Sequence, residues 1–363
     1  MSDSTKSLSH SDQPTALGIE LENLTKIYPG LSIPAVEKVS MNIPAGDLVV
    51  FVGPSGCGKT TTMKMINRLV EPTSGVIRLG GRDVTTGNPV DLRRQIGYVI
   101  QSIGLFPHLT IEENIGEVPK MLGWPKGKIA ERVREMMAIV GLEPGQFARR
   151  YPRQLSGGQQ QRVGVARALA ADPPVLLMDE PFGATDPITR LNMQREFRKL
   201  QQDLGKTVIF VTHDFEEALL LGDRIAVLGD RSRIVQYDTP LGLVGRPADE
   251  HVSAFVGASV HVRLLGLITA GSVADTSLAA PGTRLVPGAV TVDATTTLRD
   301  TLDRLLGGAT VVPVVDATGK VLGGLDYPAI QRAIVSQMAA LEHNTGYQGA
   351  VRTGVARQPV VAS

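Results

Sequence analysis

A glycine-rich turn between a predicted strand and a predicted helix constrains this chain more than any other feature. Residues 53–60 are GPSGCGKT and match the pattern G-x-x-x-x-G-K-[ST] without a gap. Residues 48–52 are apolar and mostly β-branched, which predicts a buried strand, and residues 60–69 carry apolar side chains at helical spacing. Glycines let backbone amides curl around phosphate oxygens, and the start of a helix adds a partial positive charge. The sequence therefore predicts a phosphate-binding loop within an α/β fold.

Two side chains of this loop have predicted roles in binding a nucleotide. Lys59 would reach the β- and γ-phosphates, and the hydroxyl of Thr60 would ligate Mg²⁺. The alternative is a glycine-rich turn that matches by chance. It is disfavoured because the strand, the turn and the helix follow one another in the order that the mechanism requires.

Composition and charge limit the classes of protein to which the chain can belong. Of its 363 residues 42% are apolar and 20% are charged, and 37 Lys and Arg against 36 Asp and Glu give a net charge of +1. Bulk charge therefore gives no reason to expect a nucleic-acid partner. No apolar run is long enough to span a membrane, and residues 1–18 predict a disordered lead-in without the apolar core of a signal peptide. The single cysteine excludes an internal disulfide, so we expect a soluble, intracellular chain. The length of 363 residues predicts two domains, or one large and one small domain.

Two other predicted strands end in residues that are suited to catalysis. Asp179 and Glu180 follow one apolar run, and His213 follows another. Ligands of doubly wound α/β folds lie at the carboxyl ends of the strands, so these residues and Thr60 are expected at one site. Taken singly, the two carboxylates are equally well explained as a helix N-cap pair. A lone histidine after a strand is more often a structural hydrogen-bonding residue.

Three further positions carry weaker signals. Tyr28 follows an alternating strand pattern, Gln101 ends a predicted strand, and residues 156–158 (Ser-Gly-Gly) precede a predicted helix. From position alone, Tyr28 is best interpreted as a strand aromatic, and Gln101 is equally well explained as a solvated loop residue. The Ser-Gly-Gly turn would present free amides at a helix start, which is a second candidate anion site, but such turns are usually only flexible.

Taken together, these segments resemble the nucleotide-binding subunit of an ABC transporter over residues 19–258. The resemblance is specific because the motifs occur in the family's order. The matching positions are Tyr28 (the aromatic that stacks on adenine), residues 53–60 (Walker A), Gln101 (Q-loop), residues 155–159 (the LSGGQ signature), residues 175–179 (Walker B), Glu180 (the glutamate after Walker B), residues 184–186 (D-loop) and His213 (the switch histidine). The resemblance implies a P-loop NTPase of the α/β class, with a RecA-like core, an antiparallel β edge and a helical subdomain at about residues 105–165.

The resemblance also implies how these residues divide the work of ATP hydrolysis. The reaction needs a phosphate cradle, a metal ion, a positioned water and charge stabilisation. The implied catalytic residues are Glu180, which would polarise the water, His213, which would contact the γ-phosphate, and Lys59. The implied ligands of Mg²⁺, partly through water, are Thr60, Gln101 and Asp179. The implied nucleotide-binding residues are Tyr28, Gly53, Pro54, Ser55, Gly56, Cys57, Gly58, Lys59, Thr60, Thr61, Gln101 and Asp179.

In the family, the signature acts on the ATP that a second subunit binds, across a head-to-tail dimer. The implied residues acting in trans are Ser156, Gly157, Gly158, Gln159 and Asp186. Thr185 departs from the leucine that the family usually has in the D-loop, which predicts altered packing at the dimer seam rather than lost activity. Cys57 is common in the family at its position and need not be catalytic.

The last third of the chain has a different pattern. Residues 259–284 are rich in Ala, Gly, Ser and Thr and predict a linker with at most one short helix, and residues 339–363 predict a flexible tail. Residues 285–338 predict a β-α-β-β-α unit that resembles a single CBS motif, a small α+β domain. Residues 326–329 (DYPA) replace the Thr-x-x-Asp of many CBS motifs, which argues against an adenine nucleotide there. The unit would serve as a dimerisation domain or as a sensor.

An ABC ATPase followed by a CBS motif resembles the importers of quaternary amines, which take up glycine betaine, carnitine, choline or proline as osmoprotectants. The implied partners are a second ATPase subunit, an integral membrane permease and an external substrate-binding protein, with the chain peripheral to the cytoplasmic face of the cell membrane. No nucleic-acid partner is expected. Two alternatives stay open: an importer ATPase for another small solute, and a soluble ABC ATPase outside transport. The latter class usually carries two cassettes or a long coiled-coil insertion, which this chain lacks.

Overall fold

The computed structural model describes residues 16–100, 104–183, 187–257, 260–281, 283 and 290–343, with side chains described through residue 340. The chain divides into two compact units, Met1–Val260 and His261–Ser363. In the described ranges, no helix combines the length and the apolar character that a membrane span requires.

Two sheets form the framework of the first unit. Its strands are β1 (Ile19–Lys26), β2 (Val36–Ile43), β3 (Leu48–Val52), β4 (Ser74–Leu79), β5 (Arg82–Asp83), β6 (Ile96–Val99), β7 (Val175–Asp179), β8 (Thr207–Thr212), β9 (Arg224–Leu228) and β10 (Ile234–Asp238). One sheet is antiparallel, in the order β2-β1-β4-β5, and the other has the order β10-β9-β3-β8-β7-β6. In the second sheet only β10 runs antiparallel to its neighbour, β9. The predicted α/β core with an antiparallel edge is confirmed.

Helices pack on these sheets and form a subdomain of their own. They are α1 (Lys59–Ile66), α2 (Pro89–Arg93), α3 (Ile111–Met121), α4 (Lys126–Ile139), α5 (Pro144–Phe147), α6 (Gly157–Leu169), α7 (Pro187–Leu204), α8 (Phe215–Leu221), α9 (Pro240–Gly245) and α10 (Glu250–Val256). Helices α3, α4 and α6 pack on one another, in the region where the helical subdomain is expected. Apolar side chains of α1 are buried in one cluster with residues of both sheets, so the helix that follows the glycine-rich turn is fixed in the core.

The order of the parallel strands brings the predicted site residues to one edge of the sheet. Strand β8 lies between β3 and β7, and the register pairs Val52 with Thr212 and Asp179 with Val211. All five residues of β3 and of β7 are buried, as are all six of β8. Continuous apolar runs of this kind are typical of central parallel strands. The polar residues that follow them lie in one crevice at the carboxyl ends of the strands.

The second unit is a small sheet with helices. Its strands, in spatial order, are β11 (Val292–Asp293), β12 (Val312–Val315) and β13 (Val321–Leu325), and its helices are α11 (Val260–Leu267), α12 (Ala270–Val273), α13 (Leu298–Leu306) and α14 (Tyr327–His343). Strands β11 and β12 are parallel, and β12 and β13 are antiparallel. This is the predicted β-α-β-β-α order, although the first strand starts at Val292 and the last helix continues beyond residue 338.

Much of the segment predicted as a linker is folded in this unit. Residues 260–273 contain α11 and α12, and α12 packs against the three strands and α14. Asp275 and Gly324 exchange backbone hydrogen bonds of 2.9 Å in both directions, which adds this segment to the edge of β13. The structure thus has two helices where the sequence predicts a linker with at most one, because elements of four to eight residues carry little readable periodicity.

Candidate active site

The glycine-rich turn packs against the end of β9 so closely that its first residue has no room for a side chain. A Cβ at Gly53 would lie 2.2 Å from the carbonyl oxygen of Leu228. Gly58, the N-cap of α1, has φ +107°, a conformation that L side chains rarely adopt. Both glycines are thus required by the local geometry, and the loop ends on the amides at the start of α1, where donors are free for an anion.

The ammonium group of Lys59 lies within this loop. The residue is only 6% exposed, and its Nζ donates hydrogen bonds to the carbonyl oxygens of Gly53 at 2.7 Å and of Pro54 at 2.9 Å. A buried cation inside a phosphate-binding loop is strongly attracted to phosphate oxygens, because charge-assisted hydrogen bonds strengthen in a low-dielectric site.

Thr60 and Asp179 bring two oxygen donors together. The Thr60 hydroxyl donates to Asp179 Oδ1 at 3.0 Å, and Asp179 is 4% exposed at the end of β7. Burial raises the pKa of Asp179, and the charge of Glu180 adds to the rise, while the hydrogen bond from Thr60 opposes it. Tyr98 on the next strand, β6, has its pKa raised to about 12 by burial and by the Asp179 charge. A nearby cation would therefore stabilise the ionised carboxylate.

The donors present fit magnesium better than a transition metal. Mg²⁺ is usually held by one or two protein oxygens and completes its shell with phosphate oxygens and water. Among the residues that the structure describes, no group of three or more His, Cys, Asp and Glu side chains is arranged to hold a metal. One hydroxyl and one carboxylate beside a phosphate-binding loop are what this chemistry requires.

Glu180 and His213 form a second pair at the same edge. His213 Nδ1 lies 3.0 Å from Glu180 Oε1, and the side chains are 64% and 23% exposed, respectively. Glu180 has φ +44°, which is strained for a residue with a side chain. Its N–H donates to the Val211 carbonyl at 3.0 Å, and its own carbonyl accepts from Gly183 at 3.2 Å. The turn after β7 therefore aims this carboxylate out of the strand direction and toward the histidine.

A cap fixes the backbone on the other side of His213. The Asp214 N–H donates to Thr212 Oγ1 at 3.0 Å, while the Asp214 carboxylate accepts from the amides of Glu216 and Glu217 at the start of α8. With both neighbours hydrogen-bonded, the histidine projects from a rigid turn between β8 and α8.

The Ser-Gly-Gly turn begins α6 in the helical subdomain. The Ser156 hydroxyl accepts from the Gln159 N–H at 3.3 Å, and the Gln159 side-chain oxygen accepts from the Ser156 N–H at 2.9 Å, which forms a capping box. Among the described residues, no hydrogen bond or ion pair joins this turn to residues 53–60. The amides of Gly157 and Gly158, which are half-buried, stand at the free start of the helix.

The remaining predicted residues are placed only in part. Tyr28 follows β1, is half-buried, and has the Lys26 ammonium 5.2 Å from its ring centroid. Gln101, Thr185 and Asp186 lie outside the described residues.

One residue that contacts the loop was not predicted from the sequence. Ser232 is fully buried and donates a hydrogen bond from its hydroxyl to the Cys57 carbonyl of the loop. Nothing in the sequence shows which side chain of the turn that contains Ser232 is buried.

A phosphate cradle on a parallel strand, oxygen ligands for a cation and a glutamate–histidine pair together define a P-loop nucleotide hydrolase. Comparison with known proteins agrees with this class and narrows it. The ABC transporter family profile matches residues 36–183. The chain is 54% identical over 273 residues, 74% of its length and 71% of the relative's, to the osmoprotectant import ATP-binding protein OsmV of Salmonella typhimurium.

Two other proteins extend the comparison. The chain is 55% identical over 239 residues to the glycine betaine/carnitine/choline transport ATP-binding protein OpuCA of Bacillus subtilis, which covers 66% of this chain and 62% of that relative, less than two thirds of it. A solved ATP-binding cassette, in a dimeric post-hydrolysis state bound to ADP and phosphate, is 36% identical with a TM-score of 0.56, and covers 61% of this chain and 98% of the solved one. The chain belongs to the ABC transporter family of ATP-binding proteins, and its activity is the hydrolysis of ATP.

Proposed function

We propose that this chain is the ATP-hydrolysing subunit that energises an importer for osmoprotectants such as glycine betaine, carnitine, choline or proline. The observation that carries the proposal is the assembled site, with Lys59 in the loop, the Thr60–Asp179 pair at 3.0 Å and the Glu180–His213 pair at 3.0 Å. The names of the similar ATP-binding proteins support the class of solute.

In this function each side chain has one task. Lys59 and the amides at the start of α1 bind the β- and γ-phosphates, and Tyr28 stacks on adenine. Thr60 and Asp179, with Gln101, hold Mg²⁺, which supplies charge stabilisation for the transferred phosphoryl group. Glu180 accepts a hydrogen bond from the attacking water and polarises it. His213, whose Nδ1 lies 3.0 Å from Glu180 Oε1, contacts the γ-phosphate and so helps to order the site.

The proposed working form is a head-to-tail dimer. The Ser156 turn and the Asp186 position belong to the site of the other copy in this arrangement. For the Ser156 turn this fits the described residues, where its hydrogen bonds cap α6 and no hydrogen bond or ion pair joins it to residues 53–60. The dimeric state of the solved cassette supports this arrangement. A permease in the membrane and an external substrate-binding protein complete the importer, with this subunit at the cytoplasmic face.

The second unit is proposed to act in dimerisation or as a sensor. A cavity of about 430 Å³ lies between residues 273–276 and one side of α14, and the Asp275–Arg332 ion pair of 3.0 Å lines it. A chain that ends at residue 260 separates the two roles. If it loses ATP-dependent dimerisation, the unit is a dimerisation domain; if it dimerises but loses osmotic control of uptake, the unit is a sensor.

The transport function is tested by uptake. The chain is co-expressed with its permease and binding protein, and accumulation of labelled glycine betaine, carnitine, choline and proline is measured, with labelled spermidine as a control solute. Uptake of an osmoprotectant that Lys59→Ala abolishes is the expected result. Uptake of spermidine alone would favour another small solute, and ATPase activity without membrane association would favour a soluble ATPase.

A further inference from the structure

The turn between β9 and β10 is strained at two consecutive residues. Arg231 and Ser232 both have φ +58°, and the turn closes through hydrogen bonds from Arg233 N to the Asp230 carbonyl at 3.1 Å and from Gly229 N to the Arg233 carbonyl at 2.9 Å. Two-residue hairpin turns of this kind favour Asn-Gly, because L side chains are unfavourable at positive φ. Strain at two such residues needs a compensating contact elsewhere.

Ser232 makes that contact with the phosphate-binding loop. The residue is 0% exposed, and its N–H and Oγ both donate to the carbonyl oxygen of Cys57, at 2.6 Å and 3.2 Å. Thr62 of α1, which is 1% exposed, donates its hydroxyl proton to Ser232 Oγ at 3.0 Å. A relay of two buried hydroxyls therefore runs from the first helix through the hairpin turn and ends on one carbonyl of the loop.

Anchoring this carbonyl fixes the direction of the next amide. The peptide unit between Cys57 and Gly58 is planar and trans, so its N–H points opposite to its C=O. Because the carbonyl faces the buried Ser232, the Gly58 N–H faces the other, open side of the loop. A Cβ at Gly58 would lie 2.3 Å from Ser232 Oγ, so the hydroxyl and the glycine are fitted to each other.

We propose that Ser232 is a positioning residue for ATP binding. Its hydroxyl, supported by Thr62, holds the Cys57–Gly58 peptide so that the Gly58 amide is pre-oriented toward a phosphate oxygen. Ser232 itself touches neither the nucleotide nor the metal. The proposal rests on the loop geometry alone and is independent of the solute that is transported.

Two substitutions at this position separate orientation from simple stability. Ser232→Ala removes the hydroxyl and keeps the strained backbone, whereas Ser232→Gly removes the hydroxyl and relieves the strain. Both variants are expected to raise the Kd for ATP by roughly 3- to 10-fold, the factor that corresponds to one neutral hydrogen bond. The Tm of Ser232→Gly is expected to be the higher of the two. Kd is measured by titration of the full-length chain with ATP and Mg²⁺, and Tm in the absence of nucleotide.

Arg231→Gly is the matched control. It relieves the same strain one residue earlier and removes only an exposed ion pair between Arg231 and Glu37 at 3.1 Å. The Kd for ATP is expected to stay at the wild-type value. If Arg231→Gly weakens ATP binding as much as Ser232→Gly does, the turn conformation and not the hydroxyl is responsible, and the proposal is wrong.

The other outcomes also decide the question. If Ser232→Gly binds ATP like the wild type while Ser232→Ala does not, affinity follows stability, and Ser232 is only structural.

Thr62→Val removes the other hydroxyl of the relay and leaves the residues of the turn unchanged. It therefore keeps the proposal testable even if a Ser232 variant folds poorly. It should weaken ATP binding by about 2-fold, less than the loss of a full hydrogen bond, because the Cys57 carbonyl keeps both its donors. Thr62→Ser, which keeps the donor, should restore the wild-type Kd; failure of this rescue would overturn the relay.

Discussion

Replacing Glu180 with glutamine should separate ATP binding from ATP hydrolysis. Glutamine has the same size, and it can keep the backbone bonds to Val211 and Gly183 that hold this residue at φ +44°. The substitution therefore removes the negative charge and little else. A general base contributes about 10²- to 10⁴-fold to a rate, so kcat should fall by that factor, which corresponds to roughly 3–5 kcal/mol in the activation free energy.

The assay measures single-turnover hydrolysis, the Kd for ATP, and the oligomeric state by size-exclusion chromatography with ATP and Mg²⁺. The Kd should stay within about 3-fold of the wild type, because Lys59 and the loop amides bind the phosphates and the site keeps its geometry. Since ATP is bound and not cleaved, the variant should accumulate as an ATP-bound dimer. A decrease in kcat of less than tenfold, an equal loss of ATP binding, or a monomer with ATP would refute the assignment of Glu180.

Three further changes have defined outcomes. Alkylation of Cys57, which is 4% exposed in the loop, should block ATP binding by bulk, and ATP should protect the thiol. Burial raises the pKa of Glu217, so its ionisation costs stability as the pH rises above the unfolded value of about 4.3. In urea unfolding, Glu217→Gln should therefore gain stability relative to the wild type as the pH is raised from that value. Gly53→Ala places a Cβ 2.2 Å from the Leu228 carbonyl and should destabilise the fold by about 3 kcal/mol, with loss of ATP binding.

Matched substitutions control for the two mutational changes. Glu216→Gln removes an exposed carboxylate on the same helical turn and is the control for Glu217→Gln. Gly87→Ala adds a methyl group where nothing lies within 4 Å, so its unfolding free energy should stay near the wild type. Alkylation of Cys57 that ATP fails to slow, or that leaves ATP binding intact, would contradict the placement of the thiol inside the loop.

Much of the candidate site could be predicted from the sequence because its residues follow uninterrupted apolar strands. Gly53, Asp179 and His213 stand directly at or after such strands, and a parallel sheet necessarily gathers their carboxyl ends at one edge. The sequence also predicted both members of the Thr60–Asp179 pair, because Thr60 ends the glycine-rich motif and Asp179 ends an apolar run. The fold of the first unit followed from the same strands.

Other parts depend on tertiary contacts that leave no local pattern. Nothing in the sequence around Ser232 indicates that its side chain is buried against Cys57, because the turn lies far from the loop along the chain. The left-handed conformation of Glu180 is likewise imposed by its hydrogen bond to Val211 on the neighbouring strand. In the second unit, Asp275 joins Gly324 through backbone groups alone, which any residue type can do, so composition predicted a linker there.

The capping box at the start of α6 has a consequence for which variants the chain tolerates. The oxygen of Gln159 is committed to the Ser156 N–H, and a carboxylate oxygen can accept the same hydrogen bond. In a library randomised at position 159, glutamate should therefore survive selection beside glutamine, while residues without an acceptor at that reach should be lost. Gln159, the last residue of the signature, would then be required to cap α6 as much as to bind the nucleotide.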